Sequence, residues 1–141
     1  MPWLIAIAVL IPLAWILKKL LRRNKIRKLY SSPFPEEWVS ILEENLPVYR
    51  HLPDELKEQL KHHINVFLGE KEFEGCGGLE ITDEIRVTVA AQACILLLNN
   101  KTRYYPGLHT ILMYPTGYFG KDQNGEDDRS GVRLGESWTH G

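Results

Sequence analysis

Three histidines are the first residues of this chain to test for metal chemistry. His62 and His63 are adjacent, and adjacent residues do not share a helix face as an i, i+4 ligand pair would. His109 has no potential ligand at metal-binding spacing. We therefore interpret His62 and His63 as solvated or core-edge residues and His109 as a structural residue, and the spacing predicts no catalytic residue and no metal ligand.

The two cysteines lack the C-x-x-C spacing of a metal knuckle or a redox motif. Cys94 lies inside an apolar stretch, and a reduced, buried thiol is the expected state. Cys76 lies among glycines and could be reactive, but a cysteine nucleophile also needs a histidine partner.

The acids after Asp122 invite a test for a calcium loop. An EF-hand that began there would need Gly at position six and Glu at position twelve, and the chain has Asp127 and Arg133. The test fails, so residues 117–141, which hold six of the eleven glycines, are predicted to form a solvated hairpin or surface loop.

The tract from Phe73 to Leu98 is the most specific part of the chain. Three glycines, Gly75, Gly77 and Gly78, predict positive φ angles or a close backbone approach. Thr82 has the character of an N-cap, followed by two acids that suit the helix dipole. The apolar residues 85–98 then predict a buried central helix. The glycine spacing matches no phosphate-binding loop.

Other patterns predict the elements around this helix. Pro35 begins a short helix that extends to residue 46, and Pro53 begins a second helix that ends at Gly69. Residues 71–73 are predicted to be a short strand or an extended link, and residues 109–114 a buried strand.

The soluble part of the chain, from about Pro33 to Gly141, resembles the Mlc titration factor A family of zinc-dependent metallopeptidases. The motifs that carry the resemblance, in chain order, are Leu46-Pro47-Val48-Tyr49, Leu52-Pro53, the run from Gly75 to Glu84, Tyr105-Pro106-Gly107-Leu108, Ile111-Leu112-Met113-Tyr114-Pro115 and Arg133-Leu134-Gly135-Glu136-Ser137-Trp138. In that family the zinc ligands lie on a His-Glu-x-x-His helix and a further acidic residue, C-terminal to the matched segment. No such motif occurs in this sequence, so the resemblance transfers no zinc ligand to any residue.

The resemblance implies an α+β fold: a mostly helical domain with a small sheet, like the N-terminal part of a zincin-like metallopeptidase. It implies zinc as the cofactor and peptide hydrolysis as the activity, although this chain alone is expected to be inactive. Residues 33–141 would form the N-terminal part of that domain, incomplete at its C-terminus. The edge strand predicted to bind substrate consists of Ile111, Leu112, Met113 and Tyr114. The alternative is a non-catalytic cytoplasmic module that binds a transcriptional repressor.

Charge is distributed unevenly along the chain. Residues 1–30 carry seven Lys or Arg and no acid, whereas the other 111 residues carry ten bases and eighteen acids, a net of −8. An acidic domain lacks the basic footprint of a nucleic-acid-binding protein, so no nucleic-acid partner is predicted.

The sixteen residues 2–17 carry no charge, and they are predicted to form a transmembrane helix in the lipid bilayer, followed by a basic juxtamembrane segment up to residue 30. The positive-inside rule then predicts a single-pass protein of the cytoplasmic (inner) membrane with its domain in the cytoplasm. The predicted anchor residues are Pro2, Trp3, Trp15, Leu17, Lys18, Lys19, Arg22 and Arg23.

Overall fold

The computed structural model describes residues 1–100, 103–115, 118–121 and 127–133. Its elements, in chain order, are helix α1 (Pro2–Tyr30), helix α2 (Glu36–Asn45), a 3-10 helix (Pro47–His51), helix α3 (Asp54–Glu70), strand β1 (Glu72–Gly75), helix α4 (Asp83–Ile95), and strands β2 (Thr110–Met113), β3 (Tyr118–Lys121) and β4 (Asp127–Arg133). The described chain is mostly helical with two small sheets, so the predicted helical domain with a sheet is confirmed.

Helix α3 is the centre of this fold. An apolar stripe runs along α3, with Leu60, Ile64 and Phe67 each at most 1% exposed. All six residues from 63 to 68 are buried, so the C-terminal half of α3 is covered on every side. Because neighbours surround this half of α3, it fixes where α1, α4 and β1 can pack.

Helix α4 packs against α2 and α3. Its N-cap is Thr82, whose hydroxyl oxygen accepts a hydrogen bond from the Ile85 amide at 3.3 Å. The predicted cap and the predicted burial of this helix are confirmed, because Val87, Ala90 and Cys94 are fully buried. The helix ends at Ile95, three residues before the predicted end at Leu98.

Helix α1 is one continuous helix whose last turns pack on α3. Gly69 of α3 allows this approach, since a Cβ atom there would lie 2.6 Å from the Leu29 side chain. The Arg22 guanidinium pairs with the Glu70 carboxylate at 3.2 Å. Just after α1, the Ser32 carbonyl accepts a hydrogen bond from the buried Asn65 amide at 2.8 Å.

The prediction of a transmembrane helix is wrong. Among the residues that the structure describes, no helix combines the length and the apolar character needed to cross a membrane. The uncharged run in α1 has only sixteen residues, about 24 Å of helix against a hydrocarbon core of about 30 Å. The correction applies to all eight predicted anchor residues, namely Pro2, Trp3, Trp15, Leu17, Lys18, Lys19, Arg22 and Arg23. The predicted cytoplasmic-membrane location and the division at residues 1–30 and 33–141 are not tested by the fold and stay predictions.

The sheet has a parallel pairing that the sequence patterns did not predict. Strand β1 pairs with β2 in parallel, with Phe73 opposite Ile111 and Gly75 opposite Met113. Strands β3 and β4 pair antiparallel, with Tyr118 opposite Arg133. Residues 122–126 of the tested calcium loop and the whole Trp138 region fall outside the described residues, whereas residues 127–133 of that loop form β4.

The three glycines of the specific tract behave as predicted. Gly77 and Gly78 have φ angles of +63° and +81°, which favour glycine. Gly75 is required for space, because a Cβ atom there would lie 1.9 Å from the Leu79 carbonyl oxygen. This tract therefore turns the chain tightly from β1 towards α4.

These contacts predict different costs for two matched substitutions. Gly75→Ala should lower the free energy of unfolding by about 1–3 kcal/mol, since the backbone carbonyl of Leu79 must move. Gly78→Ala, where the Cβ meets no atom within 4 Å, should cost only the strain of a positive φ, about 1 kcal/mol. Urea denaturation monitored by circular dichroism measures both values. A Gly75→Ala variant no less stable than Gly78→Ala would contradict the close approach.

Candidate functional site

Strand β2 has one edge that faces away from β1. The amide of Glu72 donates to the His109 carbonyl at 2.9 Å, and the amide of Cys76 donates to the Met113 carbonyl at 2.7 Å. Along a strand of a parallel pair, the backbone N–H and C=O groups of successive residues point alternately to one edge and the other. The backbone groups of Thr110 and Leu112 therefore point away from β1. Within the described ranges, no third strand pairs with that edge, which is the free edge of β2.

The side chains of β2 alternate between the core and the surface. Ile111 is half-buried and packs against the hydrophobic core, whereas Leu112 is 53% exposed. Met113 is half-buried and Tyr114 is 39% exposed. The strand predicted at residues 109–114 is present as β2, and it is buried on one face only because its other face does not contact the core. That Ile111, Leu112, Met113 and Tyr114 bind substrate stays a prediction.

The loop before β2 is held by a buried lysine. Lys71 is 7% exposed, and its Nζ donates to the carbonyls of Tyr105 at 3.0 Å and Leu108 at 2.7 Å. The Tyr105 hydroxyl donates to the Ala93 carbonyl at 2.7 Å, which ties the same loop to α4. Burial lowers the pKa of Lys71. These bonds fix the start of β2 and therefore the orientation of its free edge.

The two adjacent histidines lie where α1 meets α3. The Tyr30 ring stacks on His62 with 4.6 Å between centroids. His63 is buried, and a 2.7 Å hydrogen bond joins its Nδ1 to the Tyr104 hydroxyl. Within the part of the chain that the structure describes, His62 Nδ1 and His63 Nε2 are buried without a hydrogen-bond partner. His62 is half-buried at the edge of the core, whereas His63 is buried.

Beside this pair lies an open cavity of about 600 Å³. Its wall contains three carboxylates on the first turns of α3, those of Asp54, Glu55 and Glu58. Two of these acids pair with lysines one turn further along α3: Asp54 with Lys57 and Glu58 with Lys61. The acids are therefore part of a charged helix face.

The residues that the structure describes do not fit a zinc ion. No group of three or more His, Cys, Asp or Glu side chains in the described ranges has an arrangement that could hold a metal. Structural zinc needs about four such ligands, and catalytic zinc about three. Burial raises the pKa of the Cys94 thiol to about 12, which keeps it protonated and inert.

Two functional candidates were missed by the sequence patterns. Glu70 and Lys71 follow the buried stretch of α3, and a charged pair at the end of a helix usually indicates a solvated terminus. The side chain of Glu70 is only 9% exposed. The periodicity of the sequence does not indicate this burial, because it results from contacts with α1 and with the loop before β2, which are distant in sequence.

Family comparison defines the class of protein. A profile of the family described as glucose-regulated metallo-peptidase M90 matches residues 18–141. The chain belongs to this metallopeptidase family, and the resemblance inferred from the sequence motifs is confirmed.

Individual relatives narrow the class further. The uncharacterized protein slr2042 of Synechocystis is 38% identical over 117 residues, which cover 79% of this chain and 42% of that protein. Two proteins named Mlc titration factor A, from Klebsiella pneumoniae strains, are 27% and 29% identical, over 68% of this chain and 38% of theirs. The chain thus spans about two-fifths of the length of these curated relatives. No solved structure matches it significantly.

The buried histidine predicts a pH-dependent stability. Burial lowers the pKa of His63, and the neighbouring His62 lowers it further. The unfolded chain therefore takes up a proton near pH 6.5 that the folded chain resists. Stability should be greatest above that pH and fall as the pH drops from about 7.5 to 5.5.

Urea denaturation at several pH values tests this expectation, with His63→Gln as the variant. Its free energy of unfolding should depend less on pH than that of the parent chain. His51→Gln, at an exposed position of the 3-10 helix, is the control and should keep the parent slope. Equal slopes for His63→Gln and the parent would contradict this role of His63.

Proposed function

We propose that this chain contributes the substrate-binding scaffold of a zinc-dependent peptidase, and that the free edge of β2 binds an extended peptide. The observation that supports this most directly is the orientation of Thr110 and Leu112, whose backbone groups face away from β1. An extended peptide adds to such an edge as a further strand through main-chain hydrogen bonds. Family membership supplies the peptidase class.

The shape of the edge suits a peptide more than a compact ligand. The strand has four residues, so it offers a short ladder on which an extended segment can pair. Leu112 is exposed on the outer face, where it can contact alternate side chains of a bound peptide. The Lys71 contacts hold this edge in place before any peptide arrives.

The hydrolytic step is not assigned to the described residues. Metallopeptidases generate their nucleophile by binding a water molecule to the metal, and no described cluster of side chains offers the ligands. The proposed role of this chain within such an enzyme is therefore binding and orientation of the peptide.

A protein partner is the second candidate occupant of the same edge. The name of two relatives, Mlc titration factor A, favours it, because that name refers to a protein, Mlc. In this alternative the chain is a non-catalytic module, and β2 pairs with a strand of a repressor. Both candidates use the same backbone groups and differ in the occupant.

Two substitutions at one position test whether the edge binds through its backbone. Leu112→Pro removes an outward-facing amide without breaking the ladder to β1, and Leu112→Ala keeps the amide but shortens the side chain. The test measures binding of a blocked synthetic octapeptide of alternating Val and Thr through the protection of the Thr110 and Leu112 amides from exchange in NMR. In Leu112→Pro, which has no amide at residue 112, protection of the Thr110 amide should be lost. It should fall only a few-fold in Leu112→Ala.

Circular dichroism of each variant confirms that it is folded. Equal loss of binding in both variants would mean that the leucine side chain carries the contact. Unchanged exchange of both amides in the parent chain, with the octapeptide and with purified Mlc alike, would refute the proposed edge. Protection by Mlc alone would favour the second candidate.

A further inference from the structure

A second cavity lies between the end of α3, the middle of α1 and the loop before β2. Its volume is about 280 Å³, room for roughly nine water molecules at about 30 Å³ each. The residues that line it are Arg22, Glu70, Lys71, Pro106, Gly107 and His109. Two cations and one carboxylate therefore share a small cavity.

Glu70 provides an acceptor that the fold leaves unused. Its Oε1 accepts from Arg22 Nε at 3.2 Å, and the side chain is 9% exposed. Its Oε2 is buried and has no hydrogen-bond partner among the described residues. A buried acceptor without a donor costs free energy. This oxygen therefore favours a ligand that donates a hydrogen bond.

Lys71 and Arg22 provide donors that are also only partly used. Two of the three N–H groups of Lys71 donate to the Tyr105 and Leu108 carbonyls. The Arg22 guanidinium has five N–H groups, of which the contact to Glu70 uses Nε. Because both side chains are positive, their remaining donors favour a carboxylate.

We propose that this cavity binds the zwitterionic backbone of a free α-amino acid. The ammonium group donates to Glu70 Oε2, and the carboxylate accepts from Lys71 Nζ and the Arg22 guanidinium. A simple cation would be repelled by the two basic side chains, and a simple anion would leave the Glu70 acceptor unpaired. A ligand with both groups pairs with all three side chains at once and places a charge of opposite sign next to each of them.

Arg22 controls access to Glu70 in this arrangement. The Arg22 side chain is 56% exposed, while the carboxylate that it contacts is buried. The guanidinium therefore lies on the solvent side of Glu70 and shifts when a ligand enters. This movement keeps its charge next to the bound carboxylate. The site does not use the free edge of β2, so the proposal is independent of peptide binding there.

A matched series of three small molecules tests the proposal on the full chain. Glycine carries both groups, acetate lacks the ammonium and methylamine lacks the carboxylate. Glycine should shift the NMR amide signals of Gly107 and His109 saturably, with a dissociation constant on the order of millimolar. Acetate and methylamine should each bind about tenfold more weakly or worse, since a buried group then remains unpaired.

The Glu70→Gln variant removes the negative charge of the carboxylate but keeps the size of the side chain, so it tests the charge without changing the shape of the cavity. This variant should bind glycine about tenfold more weakly and acetate as well as the parent chain does. Glu58→Gln removes a carboxylate of the same helix outside this cavity and should leave glycine binding unchanged. Equal affinity of the parent for glycine and acetate, equal affinity for glycine and methylamine, or no saturable shift with glycine would each overturn the proposal.

Discussion

The burial of the C-terminal half of α3 is the constraint on which the rest of the fold depends. Six consecutive residues, 63–68, are removed from solvent, so neighbours must cover every face of the helix. Helix α4 covers one side, and the end of α1 covers another. The aromatic residues Phe73 and Tyr105 pack against Phe67 on a third. Moving any of these neighbours would expose part of the best-packed segment in the described chain.

The position of the candidate sites follows from that burial. Because α3 ends directly before β1, its buried end brings Glu70 and Lys71 under the loop that leads to β2. Lys71 then donates two hydrogen bonds to that loop, and these bonds hold β2 alongside β1. The free edge of β2 and the cavity around Glu70 are thus two consequences of one helix terminus. The sequence of Glu70 and Lys71 is typical of a solvated helix end, but in the fold α1 covers this pair and its side chains hold the neighbouring segments in place.

Local backbone structure could be predicted from the sequence, whereas contacts between residues distant in sequence could not. The Thr82 cap, the glycines after β1 and the helix ends near residues 46 and 70 follow from short-range rules of backbone geometry, and the structure contains them. The half-exposed face of β2, the parallel pairing and the burial of Glu70 depend on residues distant in sequence. The transmembrane prediction failed because its apolar run is several residues short of a bilayer span. The motifs did identify the family, which no local rule could do.

The functional account depends most on the claim that this chain binds and orients, and does not itself hold the catalytic metal. Native mass spectrometry of the 141-residue chain with equimolar zinc, followed by titration with a chelator, tests that claim most directly. The account predicts only weak, non-saturable adducts and an unchanged melting temperature. Tight capture of one zinc per chain, with a rise in melting temperature that the chelator reverses, would contradict it.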